Sequence, residues 1–220
     1  MGADFAQLVK DVRVISVAAS EPVQVKAQPD NLRCVGLGTT AAVFQLKERP
    51  EIALKVFIPS QLQACKEEVE IYKLLGNSPY FPPFYYEGSN FFAMGYRPGT
   101  NLYDCLLQGI FIPEQVIADV DQALAFARSR GLNPCDVHLK NIIINQGRGY
   151  LVDVSAYRKS HQCHRWDSLR HAYYNYYLDL YYPGLTIPSW VLEAIRTWYK
   201  ATELDHDLPG FAEKIRQMFF

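Results

Sequence analysis

Between residues 32 and 57 the chain carries three short apolar runs set apart by turn residues, and none has a helical period. Leu32-Arg-Cys-Val35 is followed by Gly36-Leu-Gly38-Thr-Thr-Ala41, then Ala42-Val-Phe-Gln-Leu46, a Glu48-Arg-Pro-Glu51 turn, and Ile52-Ala-Leu-Lys-Val-Phe57. Strands joined this closely in sequence form an antiparallel meander. A helix over residues 59–75 follows, with Leu62, Val69, Ile71, Tyr72 and Leu75 on one side and Asn77-Ser-Pro79 as its stop. Strand-like sequence runs over 84–96, and Pro98-Gly-Thr-Asn101 reads as a turn or linker. Helical segments are predicted over 101–108 and 113–130, the second with Pro113 in its first turn and Gly131 at its end. Residues 142–145 and 150–153 read as strands around Gln146-Gly-Arg-Gly149, and 165–220 as helical with a break at Pro183-Gly184. Residues 5–17 carry mixed helix and strand signals, and 20–30 read as a loop with one short strand. Mostly β followed by mostly α predicts an α+β fold.

Two features in the meander bear on chemistry. Gly36-x-Gly38-x-x-Ala41-x-Val43 joins two strands, a place where backbone N–H groups can approach a phosphate. A dinucleotide fold would need a helix after the glycines, so that reading fails; a plain hairpin turn remains open. Ala53-Leu-Lys55-Val places a lysine inside an apolar strand. A buried lysine needs an anionic partner; an edge-strand lysine reaching solvent is the other reading.

A third feature is Asp136-Val-His-Leu-Lys-Asn141-Ile-Ile-Ile144, with Asp153 twelve residues beyond Asn141. The apolar run puts Asp136, Asn141 and Asp153 at the mouth of one hairpin. Oxygen-bearing side chains of this kind suit magnesium, which takes phosphate oxygens and water as its remaining ligands.

Glycine loop, strand lysine, helical glutamate, Asp-x4-Asn, hairpin and aspartate stand in the order of the protein kinase superfamily, which this sequence resembles over residues 32–169. The resemblance implies a bilobal protein-kinase-like fold: residues 1–95 an N-lobe of antiparallel sheet plus one helix, residues 96–220 a reduced, mostly helical C-lobe with catalytic loop and metal-binding hairpin. It implies that Gly36 and Gly38 cover the phosphates of ATP, with Val43 and Ala53 against the adenine. Lys55 would pair with the α- and β-phosphates, anchored by Glu68. Glu68 is preferred over Glu67 and Glu70 because Ile71, Tyr72 and Leu75 follow it at helical spacing. Phe92-Ala-Met94-Gly95-Tyr96-Arg97 resembles the inter-lobe hinge, with Met94 as gatekeeper, backbone groups of Gly95 and Arg97 on the adenine edge, and Asn101 on the ribose. Asp136 would be the catalytic base, and Asn141 and Asp153 would hold Mg2+.

The sequence also departs from the family. The usual His-Arg-Asp is Pro134-Cys135-Asp136, the lysine two residues after the base is His138, and Asp-Phe-Gly is Asp153-Val-Ser155. The Asp-x-His arrangement resembles aminoglycoside and choline kinases. No Ala-Pro-Glu follows, and His164-Arg-Trp-Asp167 comes quickly, resembling the start of a central C-lobe helix from which Asp167 would brace the catalytic loop. What the resemblance implies is a small, atypical, bacterial-type serine/threonine protein kinase acting on protein hydroxyls. A small-molecule kinase is the second reading, favoured by His138 and the short segment after Asp153. A pseudokinase serving as a nucleotide-binding interaction module is the third, and the intact Lys55, Asp136, Asn141 and Asp153 weigh against it.

Composition narrows the partners. A net charge of −1 gives no basic footprint for nucleic acid or an anionic membrane, and no apolar run is long enough to span a bilayer. The N-terminus has no basic-then-apolar secretory pattern, and Ala6 stands where a myristoylation motif wants Ser or Thr. Five scattered cysteines argue for free thiols in a reducing, cytoplasmic compartment. His161-Gln-Cys163-His164 lacks a second ligand cluster and reads as a polar loop rather than a metal site. The aromatic run over residues 173–182 reads as packing with an exposed side that could serve as a partner surface. The terminal Met218-Phe-Phe220 carries no distinct signal.

Overall fold

The computed structural model describes residues 2–161 and 163–201. An N-terminal helix α1 (Gly2–Val9) precedes a small hairpin of β1 (Arg13–Ile15) and β2 (Gln24–Ala27). Strands β3 (Leu32–Leu37), β4 (Ala41–Leu46) and β5 (Ile52–Phe57) form the predicted meander. A 3-10 turn (Pro59–Gln61) leads into α2 (Leu62–Leu75), which ends at Gly76, whose φ is 59°. The predicted strand over 84–96 is two strands, β6 (Phe84–Glu87) and β7 (Phe91–Gly95), which complete a five-stranded sheet in the order β3-β4-β5-β7-β6.

Past residue 95, β8 (Thr100–Asn101), α3 (Leu102–Gln108) and α4 (Glu114–Ser129) precede the hairpin of β9 (Ile142–Asn145) and β10 (Arg148–Leu151). The two-residue β8 pairs with β9, making a three-stranded sheet that the sequence did not suggest. Helix α5 (Arg165–Ala172) continues through a π-helical turn (Tyr173–Tyr177) into α6 (Leu178–Leu180), and α7 (Ser189–Ala201) follows the Pro183-Gly184 break. Residues 202–220, including Met218-Phe-Phe220, lie outside the described residues. The chain is thus α+β, and among the described residues no helix is long and apolar enough to cross a membrane.

Every residue of β5 is buried, because both faces of the sheet are covered. Leu54 and Val56 join Phe44, Ala93 and the N-terminal Phe5, Val14 and Val23 in one apolar cluster. Ala53 and Phe57 face the other way, into a cluster with Val69 and Tyr72 of α2 that continues to Leu102, Val116, Leu124, Ile142 and Leu151. Lys55, two residues from each of Ala53 and Phe57 along the strand, shares their face and therefore points to the α2 side. The residues before β3, ambiguous in sequence, serve as the lid on the outer face of this sheet.

The β9–β10 hairpin is fastened to α4 by one buried carboxylate. Asp119 accepts Arg148 Nε at 2.8 Å, Arg148 Nη2 at 2.7 Å and the Gly149 backbone N–H at 2.9 Å. A Cβ on Gly149 would stand 2.8 Å from the Val116 carbonyl oxygen, so only glycine lets the strand approach α4 this closely.

Candidate functional site

The elements bring together most of the polar residues singled out in the sequence. Lys55 Nζ lies 2.6 Å and 2.8 Å from the two Glu68 oxygens and 3.4 Å from Asp153 Oδ2. Of the neighbouring glutamates on α2, Glu67 pairs with Gln63 and Glu70 with Lys73 on the surface, while Glu68 is 1% exposed. Burial acts to lower the Lys55 pKa, but the Asp153 and Glu68 carboxylates outweigh it and hold it raised. Burial pushes Glu68 up to about 7 against the pull of Lys55, and the charge on Asp153 adds to the rise. Because one ammonium reaches both Glu68 oxygens, the ionised pair is the form this geometry favours. For Asp153 burial raises the pKa, and Lys55 with the Ser155 N–H, 2.9 Å from Oδ1, brings it below the usual carboxylate value.

Asn141 and Asp136 adjoin this cluster. The backbone N–H of Val152, next to Asp153, donates to the Asn141 carbonyl at 3.1 Å. Asn141 Nδ2 donates to the Asp136 carbonyl oxygen at 3.3 Å, which leaves its side-chain oxygen as acceptor. Asp136 adopts a left-handed φ of 60°, and its N–H donates to Cys163 Sγ at 3.4 Å. Its carboxylate is ion-paired with Arg165 at the start of α5. Burial lowers the His138 pKa, against the opposing pull of Asp136.

At the sheet end, Gly36 pairs with Val43, and Val43 with Lys55. A Cβ at Gly36 would meet Val43 at 3.6 Å, and one at Gly38 the Ala41 carbonyl at 3.4 Å. Those are ordinary contacts, so the fold does not itself demand glycine at either position. Ala53 is paired with Met94, which is buried and accepts the Tyr72 hydroxyl at Sδ over 3.4 Å. Gly95 differs from the other two, since a Cβ there would lie 2.6 Å from Pro83 Cδ. The Gly95 N–H donates to Pro83 O and the Tyr96 N–H to Glu51 O, so neither is left for a ligand. The Arg97 guanidinium is turned inward over the Tyr150 ring, at 4.8 Å. A shallow cavity of about 310 Å³ between Ser16, Ser20, Thr39, Thr40, Ser60 and Gln61 shares no residue with the Lys55 cluster.

Two of the residues expected at the site have local partners. The Asn101 side chain, expected on a ribose, caps α3: Oδ1 accepts the Asp104 N–H at 2.8 Å and Nδ2 donates to Asp104 Oδ2 at 2.7 Å. Asp167, expected to brace the loop of Asp136, has as its partners His164 at the cap of α5 and Arg170 one turn along that helix. Arg165, two residues earlier, makes that contact instead. Nothing in the sequence marked Arg165, because its partner lies 29 residues away in a loop.

The segment after Asp153 folds back on the loop that leads to Asp136. Asn133 donates from Nδ2 to the carbonyls of Lys159 at 2.7 Å and His161 at 2.9 Å, and its N–H bonds to Tyr157 O at 2.8 Å. All five cysteines are free thiols. Among the described residues no group of three or more His, Cys, Asp and Glu side chains is placed to hold a metal by itself. The aromatic run packs largely inward: Tyr173 donates to Ile112 O at 2.8 Å, the Ile112 N–H donates to the Tyr177 hydroxyl at 3.0 Å, and Phe111 lies 4.7 Å from Tyr181. Its helix ends at Leu180, short of Tyr181 and Tyr182.

No family model matches the chain. Over 179 residues it is 37% identical to a protein of Bacillus subtilis (strain 168) named "Putative serine/threonine-protein kinase YrzF", with 80% of this chain and 83% of that protein covered. With this degree of likeness over this share of both proteins, the chain belongs to the kinase-like family that this relative represents.

Proposed function

We propose that the protein is a two-lobed phosphotransferase that takes ATP between the five-stranded sheet and the helical part, dividing near residue 95, and passes the γ-phosphoryl group to a protein Ser or Thr hydroxyl. The observation that carries this reading is the buried Lys55 held between Glu68 and Asp153 beside the Asp136–Asn141 loop. A lysine fixed in this way presents its charge to phosphate oxygens without reorganising. The glycines support it, since at Gly36 and Gly38 the room they leave is not needed by the fold and suits phosphates lying close to the backbone. Val43, Ala53 and Met94 would contact the base, and the Gly95 carbonyl and Arg97 N–H would meet its polar edge.

Asp153 and Asn141 fit Mg2+: one offers a carboxylate kept ionised, the other an amide oxygen freed by the use of its Nδ2. Bound there, the ion would offset charge on the phosphates. Asp136 would receive the acceptor's hydroxyl proton as that oxygen bonds to the γ-phosphorus and the bond from phosphorus to the β-phosphate oxygen breaks, releasing ADP. The relative's name supports a protein acceptor. A small-molecule acceptor is the second reading, favoured by the short segment that Asn133 pins to the loop, which leaves little extended chain to seat a peptide. A partner surface on the aromatic run is proposed only through Tyr174 and Tyr182, which remain exposed.

Labelled ATP offered with a lysate and a panel of metabolite alcohols tests both readings. Label entering protein in the wild type and lost in Asp136→Ala supports the first; label entering only small alcohols transfers the assignment to the second. Equal transfer by Asp136→Ala removes Asp136 from its role.

A further inference from the structure

The reading above, on which this inference rests, requires Asp136 to hold one carboxylate oxygen toward an acceptor, and Asp136 stands on a loop in a left-handed conformation that non-glycine residues seldom adopt. Its backbone is tied on both sides, by Cys163 Sγ at the N–H and Asn141 Nδ2 at the carbonyl. That leaves the carboxylate itself to be fixed. We propose that Arg165 is the positioning residue of the acceptor site: its Nη1 takes Asp136 Oδ1, which leaves Oδ2 to receive the acceptor hydroxyl, and its charge is the acceptor-side counterpart of Lys55.

Three observations carry the assignment. The contact is specific, joining one nitrogen of the guanidinium to one oxygen of Asp136. The other cations nearby are committed elsewhere: Lys55 to Glu68 and Asp153, and Lys140 to the Tyr103 ring at 4.4 Å. Finally, Arg165 opens a helix that is itself held in place. Trp166, 6% exposed, donates from Nε1 to Asp121 Oδ1 of α4 at 2.7 Å, and Arg170 reaches both oxygens of the same aspartate at 3.3 Å. A guanidinium placed by a seated helix turn fixes a carboxylate better than one on a free loop, because less side-chain freedom is lost in making the contact.

The test uses the full chain with γ-labelled ATP, reading transfer to dephosphorylated casein and to the protein itself, for wild type, Arg165→Gln and Arg165→Lys. Misplacing a reacting group lowers the rate of the chemical step, so Arg165→Gln should lower kcat by about a hundredfold and leave KM for ATP within about twofold. Its melting temperature and its stabilisation by ATP should match the wild type. Arg165→Lys, which restores the charge without the planar fork, should recover about tenfold of the loss. Transfer by Arg165→Gln within about threefold of an active wild type would overturn the inference and leave the phosphotransfer reading intact. Loss of transfer together with loss of melting temperature, unrelieved in Arg165→Lys, would reduce Arg165 to a structural role and overturn it too. A wild type that binds ATP yet transfers no label to casein or itself would defeat the phosphotransfer reading, and this inference with it.

Discussion

Lys55 occupies the middle of a strand covered on both faces, and it remains charged there because three carboxylate oxygens lie within 3.4 Å of its ammonium. Removing one partner of such a pair leaves a charge without compensation. Glu68→Ala should therefore cost about 3 kcal/mol in urea unfolding, Asp153 retaining part of the pairing; a loss below about 0.5 kcal/mol would mean that the pair does not form in solution. Two of the titrating groups, His138 and Asp153, add a dependence on pH of the same sign. Burial holds His138, which faces Asp136, Arg165, Asp153 and Lys140, below its ordinary value of 6.5. A depressed pKa contributes stability that is whole above 6.5 and is lost as pH falls through the folded value. Asp153, also depressed, loses its contribution in the same direction at lower pH. His138→Gln should accordingly flatten the stability curve just below pH 6.5 and leave the deeper acid limb in place, as followed by thermal melts across pH. At this scale the sequence was most legible where burial and pattern coincide. Glu68 could be told from Glu67 and Glu70 by the apolar residues that follow it, whereas Asn101 could not be read, since a helix cap and a ligand contact call for the same side chain.

The hairpin that follows Asn141 and leads to Asp153 has little core of its own, and its position depends on Asp119 of α4. Asp119→Ala would strip the Gly149 N–H and the Arg148 guanidinium of their acceptor in one change. The expected loss is about 2–3 kcal/mol, dominated by the buried N–H. Faster hydrogen exchange over 142–151 should accompany it, and unaltered exchange there would show that packing alone holds the hairpin. Elements with a long periodic pattern, α2 and α4 among them, were predicted to within a residue or two of their observed ends, apart from the 3-10 entry at Pro59–Gln61. What escaped was made by long-range pairing. The strand β8 is two residues long and exists only because β9 lies beside it, and nothing local distinguishes Asp119 from any other acid on a helix.

For the molecule as a whole, the two apolar clusters have separate duties. One lies under the outer face of the sheet and is closed by Phe5, Val14 and Val23; the other runs without a break from α2 to Trp166 and backs the site. Phe5→Ala should lower stability by about 3 kcal/mol while leaving the ATP response unchanged, because Phe5 supports the sheet from the side away from Lys55. A lost ATP response in that variant would show the two clusters to be coupled. The outer cluster was hidden in the sequence, where residues 5–30 have no single period and gain structure only from the sheet they cover. The central claim is that Lys55, Asn141 and Asp153 form a nucleotide-and-metal site, and thermal unfolding with ATP tests it most directly. Saturating ATP with magnesium, at about a hundred times its dissociation constant, should raise the melting temperature by about 5–10 °C. The rise should depend on magnesium and vanish in Asp153→Ala. No shift in the wild type, or an equal shift in Asp153→Ala, would contradict the account.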